Sequence, residues 1–247
     1  PELPEGYKAL AAVYYRKRWL RKCVEAGEKA VKANHNSALA LTSLGFYYGE
    51  IGEFEKAFPL IKKAVILSPA WAWPCSQMGY IYYGLDDLTR AEEWLKKGVE
   101  LQPTLDYATN VLSHFYLACG EFQKAVQQTQ KFLSLSPNAL LAFWYAARAE
   151  LFSGNYEKAQ EYYQKSGGRP VELGYICWKT GKKDEARKIF KESLDRLQKQ
   201  IEQGDEYYDT RYYMASIYAI QGNKEEALKW LQKTVDAGGR YYRYILR

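Results

Sequence analysis

The chain has 247 residues, of which 47% are hydrophobic and 26% charged, so it can bury a core and does not have the composition of a disordered protein. No apolar run reaches the roughly 18 residues of a membrane span, and no signal segment opens the chain.

The net charge of +6 is concentrated at the ends, because residues 1–37 carry +4 and residues 240–247 carry +3, which leaves −1 between them. A nucleic-acid-binding protein would carry a positive stripe along its binding surface, so this pattern argues against a nucleic-acid partner. Since Pro1 stands where an initiator Met would, we expect an excised fragment.

Helical periodicity runs almost end to end, and only eight prolines interrupt it, which predicts an all-α fold. Three of these prolines, Pro69, Pro103 and Pro137, are 34 residues apart and close the similar phrases AVILSP, GVELQP and FLSLSP. A period of this length indicates a repeat architecture, in which each unit buries its apolar face against the next. In chain order the predicted units span residues 4–37, 38–71, 72–105, 106–139, 140–166, 167–207 and 208–241.

The second, third and fourth units share a pattern of small and aromatic residues. A small residue in the first helix is followed three residues later by Tyr, then by Ala at the start of a second helix and by a closing Pro. This pattern resembles the tetratricopeptide repeat (TPR), a helix–turn–helix unit. The resemblance implies a right-handed superhelical solenoid of about seven helix pairs, a single domain over residues 1–247 with a concave groove. The matching positions are Gly45, Tyr48, Ala57 and Pro69, then Gly79, Tyr82, Ala91 and Pro103, then Ser113, Tyr116, Ala125 and Pro137.

The fifth and sixth units depart from the period in opposite senses. The fifth spans about 27 residues and the sixth about 41, so we expect a short second helix in the fifth, cut by the sequence GGRP, and a long one in the sixth. Pro59 lies inside the second helix of the second unit, where it is expected to kink or loosen that helix. A further short helical piece is expected near residues 241–246.

Helical phase divides the first helix of each unit into a face that packs on the second helix and a face roughly 150° away. In a TPR superhelix this other face lines the concave groove, so its side chains are the predicted binding residues. Groove-side aromatic residues also pack between neighbouring units, so a purely structural role for each of them stays open. The predicted groove residues are Phe46, Trp73, Gln77, Tyr80, Tyr83, Tyr107, Asn110, His114, Trp144, Tyr145, Arg148, Phe152, Tyr175, Trp178 and Tyr212.

No catalytic or metal-binding motif accompanies the repeats, so we predict no enzyme activity, no cofactor and no metal. His35 is expected in a surface loop, and His114 is expected as a polar groove residue rather than a catalytic base. The basic sequence RKRWLRK is expected to be a solvated helix face. The four cysteines fall at packing positions of different units, which predicts free, buried thiols and favours the cytoplasm. They are Cys23, Cys75, Cys119 and Cys177.

Trp, Tyr and Arg are the side chains that most often dominate binding energy, so the groove favours a scaffold that binds a peptide or partner segment. The last third of the chain, with the sequence DTRYYMASIYAIQGNKEEALKWL, loosely resembles TPR regions of bacterial signalling and transcription-regulator proteins. This resemblance gives an alternative, a ligand-sensing regulatory domain of a larger protein. Neither the partner nor the oligomeric state follows from the sequence.

Overall fold

The computed structural model describes residues 4–168 and 170–237, and this part of the chain forms fourteen α-helices and no strand. The turns within each pair are short, so the two helices of a pair run antiparallel. The predicted all-α fold and its seven helix pairs are confirmed. The helices are α1 Pro4–Arg16, α2 Leu20–Ala33, α3 Ala38–Glu50, α4 Phe54–Leu67, α5 Ala72–Gly84, α6 Leu88–Leu101, α7 Asp106–Ala118, α8 Phe122–Leu135, α9 Leu140–Phe152, α10 Tyr156–Lys165, α11 Pro170–Lys179, α12 Lys183–Glu202, α13 Tyr208–Ile220 and α14 Lys224–Asp236.

The two helices of a pair approach closely because the first helix carries a small residue at the crossing point. A methyl group placed on Gly79 of α5 would lie 2.8 Å from the backbone nitrogen of Leu95 in α6. One placed on Gly45 of α3 would lie 2.5 Å from the side chain of Ile61 in α4. Both distances are shorter than a Cβ contact allows, so the glycines set the spacing of the pair.

Helix lengths follow the predicted departures in the fifth and sixth pairs. Helices α10 and α11 have 10 residues each and α12 has 20, whereas α9 and α13 on either side have 13. The short α10 ends before Gly167 and Gly168, whose φ angles of +89° and +80° lie in the left-handed region that stops a helix. Helix α4 continues through Pro59 to Leu67 without interruption. The helical piece predicted near residues 241–246 lies outside the described residues.

Apolar side chains join each pair to the next. One hydrophobic cluster extends from Phe54 in the second unit to Ala149 in the fifth, and another joins the sixth and seventh units around Phe190 and Trp230. The first two units share a third cluster around Cys23 and Leu44. Because these contacts are mostly apolar, stacking of neighbours supplies the burial that one pair cannot supply alone.

The first pair also contacts the turn between α12 and α13, so the solenoid closes on itself. Arg18, in the turn after α1, pairs with Asp205 at 2.8 Å. The backbone nitrogen of Glu206 donates to the carbonyl oxygen of Arg18 at 3.2 Å, and that of Arg21 donates to the Glu206 carboxylate at 3.1 Å. These residues are more than 180 positions apart, and their contact places the seven first helices around a common interior.

The cysteine prediction holds with one correction, whereas the prediction that RKRWLRK forms a helix face is wrong, because residues 17–19 form the turn between α1 and α2. Cys23, Cys75 and Cys177 are buried free thiols, whereas Cys119 is only half-buried because it lies at the C-terminal cap of α7 rather than within the pair. Within RKRWLRK most basic side chains are exposed as expected, but Arg18 is not simply solvated, because it carries the ion pair with Asp205. None of the helices in the described ranges has the length and apolarity needed to span a membrane.

The close contact at Gly79 gives a stability prediction. Alanine is the better helix former, yet the added methyl of Gly79→Ala would collide with the backbone of α6. We expect the variant to lower the free energy of unfolding by about 1–3 kcal/mol, as overpacked cores do. Urea unfolding followed by circular dichroism measures this change, with Gln127→Ala on the exposed side of α8 as control. A Gly79→Ala variant as stable as the wild type would show that the crossing is not set by this contact.

Candidate functional site

The first helices of six units supply the side chains that meet in the enclosed interior. One set repeats every 34 residues, at the ninth position of four successive first helices, and consists of Phe46, Tyr80, His114 and Arg148. Side chains from other positions of these helices contact this set. We call the resulting surface the inner face, and we define it by Tyr15, Phe46, Glu50, Trp73, Tyr107, His114, Trp144, Arg148, Asp209 and Tyr212.

Aromatic rings cover one half of the inner face. The ring of Phe46 lies 5.2 Å from Tyr15, 6.4 Å from Trp73 and 6.0 Å from Tyr107, measured between centroids. Phe46 and Tyr107 belong to the second and fourth units, so their edge-to-face contact bridges over the unit between them. The interior is therefore narrow at this point, and its wall is formed by packed rings.

The other half of the inner face is polar, and it centres on Arg148. This guanidinium donates to Nε2 of His114 and lies 5.2 Å from the ring of Trp144. Because a guanidinium can only donate, Nε2 of His114 must accept, which requires the neutral imidazole. Desolvation and the charge of Arg148 lower the pKa of His114 well below its usual value, in agreement with that state.

A buried carboxyl group lies where the polar and aromatic halves meet. Glu50, at the end of α3, is 6% exposed, and it accepts hydrogen bonds from the hydroxyl groups of Tyr207 and Tyr15. Desolvation, followed by the nearby negative charge of Asp209, raises the pKa of Glu50 to about 8. Burial also raises the pKa of Asp209, to about 6, although Arg18 and Arg148 oppose this rise. The interior therefore holds Glu50 largely protonated at neutral pH.

Two family models described as tetratricopeptide repeat match the sequence, one over residues 171–238 and one over residues 75–105. The chain contains tetratricopeptide repeats. No curated protein matches it in sequence.

Solved TPR structures share the fold of this TPR protein at low sequence identity, so the likeness concerns the fold alone. A thermophilic TPR protein from Thermus thermophilus is 20% identical, with a TM-score of 0.61 over 66% of this chain and 89% of that one. A TPR protein from Parabacteroides merdae is 16% identical, with a TM-score of 0.58 over 95% and 93%. The Cut9–Hcn1 hetero-tetramer of the APC/C is 16% identical, with a TM-score of 0.66 over 92% of this chain and 45% of that one.

Four of the side chains predicted in the TPR groove are instead largely buried between units. Tyr80 lies against Phe54, with ring centroids 5.8 Å apart, and closely approaches Gly49 of the preceding first helix. Tyr83 packs on Phe115 of the next unit at 5.8 Å. These residues lie at the predicted positions of their helices, but neighbouring units cover them. They therefore pack behind the inner face and are not part of its exposed surface. The four are Gln77, Tyr80, Tyr83 and Tyr145.

The remaining predicted residues divide between the inner face and other places. Phe152 is 50% exposed at the end of α9. Trp178 packs on Phe190 of its own pair, with ring centroids 6.3 Å apart. Tyr175 packs against the hydrophobic cluster of the fifth unit. Half-buried positions are occupied by Phe46, Trp73, Tyr107, Asn110, His114, Trp144, Arg148 and Tyr212.

Sequence analysis missed Tyr15, Glu50 and Asp209 of the inner face. The helical-phase rule could have identified all three, because they occupy the twelfth, thirteenth and second positions of their first helices. By contrast, the pairing of Arg18 with Asp205 has no signal in the repeat pattern, since it joins turns at opposite ends of the described chain.

The raised pKa of Glu50 predicts that stability falls as pH rises. In the folded chain Glu50 keeps its proton up to about pH 8, whereas in the unfolded chain it is ionised above its ordinary value near 4.3. Its stabilising contribution is complete below that ordinary value and is lost as the pH rises through 8. The contribution of Asp209 to stability has the same sign, but it is already lost above about pH 6. The contribution of His114 has the opposite sign, because its pKa is lowered, and it is fully present near pH 7.

Between pH 7 and pH 8 the free energy of unfolding should therefore drop by about 1 kcal/mol in the wild type and clearly less in the Glu50→Gln variant. Urea unfolding at both pH values measures the difference, with the exposed Glu25→Gln variant as control. An equal decrease in the free energy of unfolding between pH 7 and pH 8 for the Glu50→Gln variant and the wild type would contradict the assigned protonation of Glu50.

Proposed function

We propose that this TPR protein is an interaction module that holds a segment of a partner protein on its inner face, with no chemistry of its own. The observation that carries the proposal is a run of half-buried side chains on the same side of four successive units. They are Phe46, Trp73, His114 and Arg148. An extended or helical segment that follows the units would meet aromatic and polar groups in turn. Repeat scaffolds use such continuous surfaces for binding.

The composition of the inner face also supports binding. The half-buried charge of Arg148 and the buried carboxyl group of Glu50 cost desolvation energy that an apolar filling would avoid. Because these groups add little to stability, a role in binding a ligand is the better reason for their presence. Arg148 can address a partner carboxylate or an aromatic ring, and Trp73 and Trp144 offer half-buried indole rings.

The four free cysteines favour a reducing compartment, so we propose that binding takes place in the cytoplasm. A ligand-sensing domain would use the same inner face for a small molecule. The experiment below separates the two functions, because a scaffold enriches peptides and a sensor does not.

Panning a random peptide library against the chain should enrich sequences that bind the inner face. In these complexes Trp73→Ala and Trp144→Ala should each weaken binding by about 2 kcal/mol, or about 30-fold, as loss of a central aromatic residue does. Trp94→Ala is the matched control, because Trp94 is also half-buried but lies on the second helix α6. Isothermal titration calorimetry measures the affinities, and circular dichroism checks that the helices are retained.

Peptides whose affinity depends on Trp94 but not on Trp73 or Trp144 would contradict the inner face as the binding surface. Enrichment of no peptide, together with saturable binding of a small molecule, would favour the sensing alternative.

A further inference from the structure

The contact that closes the solenoid consists of several directed interactions of Arg18. Its Nε donates to Asp205 Oδ1 at 2.8 Å, and its Nη2 donates to the hydroxyl oxygen of Thr210 at 3.1 Å. Its guanidinium lies 4.3 Å from the ring centre of Tyr207, and its carbonyl oxygen accepts from the backbone nitrogen of Glu206. We call this set of interactions, made by Arg18 with Asp205, Glu206, Tyr207 and Thr210, the closure contact.

The closure contact differs in kind from the contacts between neighbouring units. Within the described ranges, each hydrophobic cluster joins units that are neighbours in the sequence, and none joins the first unit to the seventh. One ring contact also crosses the closure, since the ring centroids of Tyr15 and Tyr207 lie 6.4 Å apart. Opening the solenoid at this point exposes less apolar surface than separating two neighbouring units, which exposes a core. The closure contact is the place where the ring opens at the lowest cost in free energy.

The local structure of Asp205 permits this opening. Asp205 is 5% exposed, and besides Arg18 it accepts from the hydroxyl group of Thr210 at 2.7 Å and from the backbone nitrogen of Tyr207 at 2.8 Å. Tyr207 belongs to the same turn and Thr210 to the first turn of α13, so both partners stay when Arg18 leaves. The carboxylate thus keeps hydrogen bonds in an open state, and water can replace the guanidinium.

Tyr207 connects the closure contact to the inner face. Its ring lies against the guanidinium of Arg18, while its hydroxyl group donates to Glu50 and lies 3.3 Å from the hydroxyl of Tyr15. A ligand that moves Tyr207 away from Glu50 therefore also disturbs the ring under Arg18. Occupancy of the inner face and closure of the ring depend on the same side chain.

We propose that the pairing of Arg18 with Asp205 is a reversible latch that opens and closes the TPR ring. In the closed state a partner segment can reach the inner face only by threading along the ring axis. In the open state the first helix pair moves away from the turn before α13, and a segment flanked by folded domains can enter from the side. The latch goes beyond the proposed function, and its test needs no ligand, so the two can fail separately.

Amide hydrogen exchange by NMR tests the latch directly, because the Glu206 amide is bonded to the Arg18 carbonyl across the closure. In the wild type this amide should exchange about 100-fold faster than that of Leu95 in the central core, since the latch opens without unfolding the chain. In the Asp205→Asn variant it should exchange about tenfold faster still, with Leu95 unchanged. In Asn the remaining oxygen still accepts from the Tyr207 amide, the amide nitrogen can donate to the Thr210 hydroxyl oxygen, and the negative charge that holds Arg18 is removed.

Arg18→Asn is the second variant, because Arg18 has a φ of +61° and Asn tolerates this left-handed conformation. The control is Asp184→Asn, which breaks an exposed ion pair with Arg187 of similar length, 2.7 Å, within α12. Small-angle X-ray scattering should show a larger radius of gyration for both latch variants and not for the control. Exchange of the Glu206 amide at the rate of Leu95 in the wild type, or no acceleration in either latch variant, would overturn the proposal.

Discussion

The close crossing of the two helices within each pair is the constraint on which the rest of the structure depends. Gly45 and Gly79 leave no room for a side chain between the helices, so each pair has a fixed spacing and each first helix a fixed rotation. That rotation directs the ninth position of the helix toward the interior, because it lies away from the packing face. The inner face of this TPR protein is thus a consequence of small residues on the opposite side of the same helices.

Two irregular units bring the ends of the solenoid together. The shortened α10 and α11 and the lengthened α12 break the uniform stacking of the first four units. After the long α12, the turn that carries Asp205 reaches the turn of the first pair. The enclosed interior then desolvates Glu50 and Asp209, and this desolvation raises the pKa values of both carboxyl groups.

The repeat period predicted the fold, the helix pairs and the two anomalous units, because these follow from local periodicity and from glycine and proline positions. It also placed Phe46, Trp73, His114 and Arg148 on one side, since helical phase is a local property. It did not distinguish Tyr80 and Tyr145, which neighbouring units bury, from the half-buried rings. Burial depends on how units stack, and the pairing of Arg18 with Asp205 depends on the curvature summed over all of them, which no single repeat encodes.

The described chain closes on itself at Arg18 and Asp205, and one NMR measurement tests this closure most directly. In a nuclear Overhauser spectrum of the wild-type protein, the side-chain protons of Arg18 should give cross-peaks to the ring protons of Tyr207, because the two groups are 4.3 Å apart. The ring current of Tyr207 should also shift the Arg18 methylene signals upfield. Sharp, assigned signals for both residues without any cross-peak between them would show an open solenoid and contradict the account.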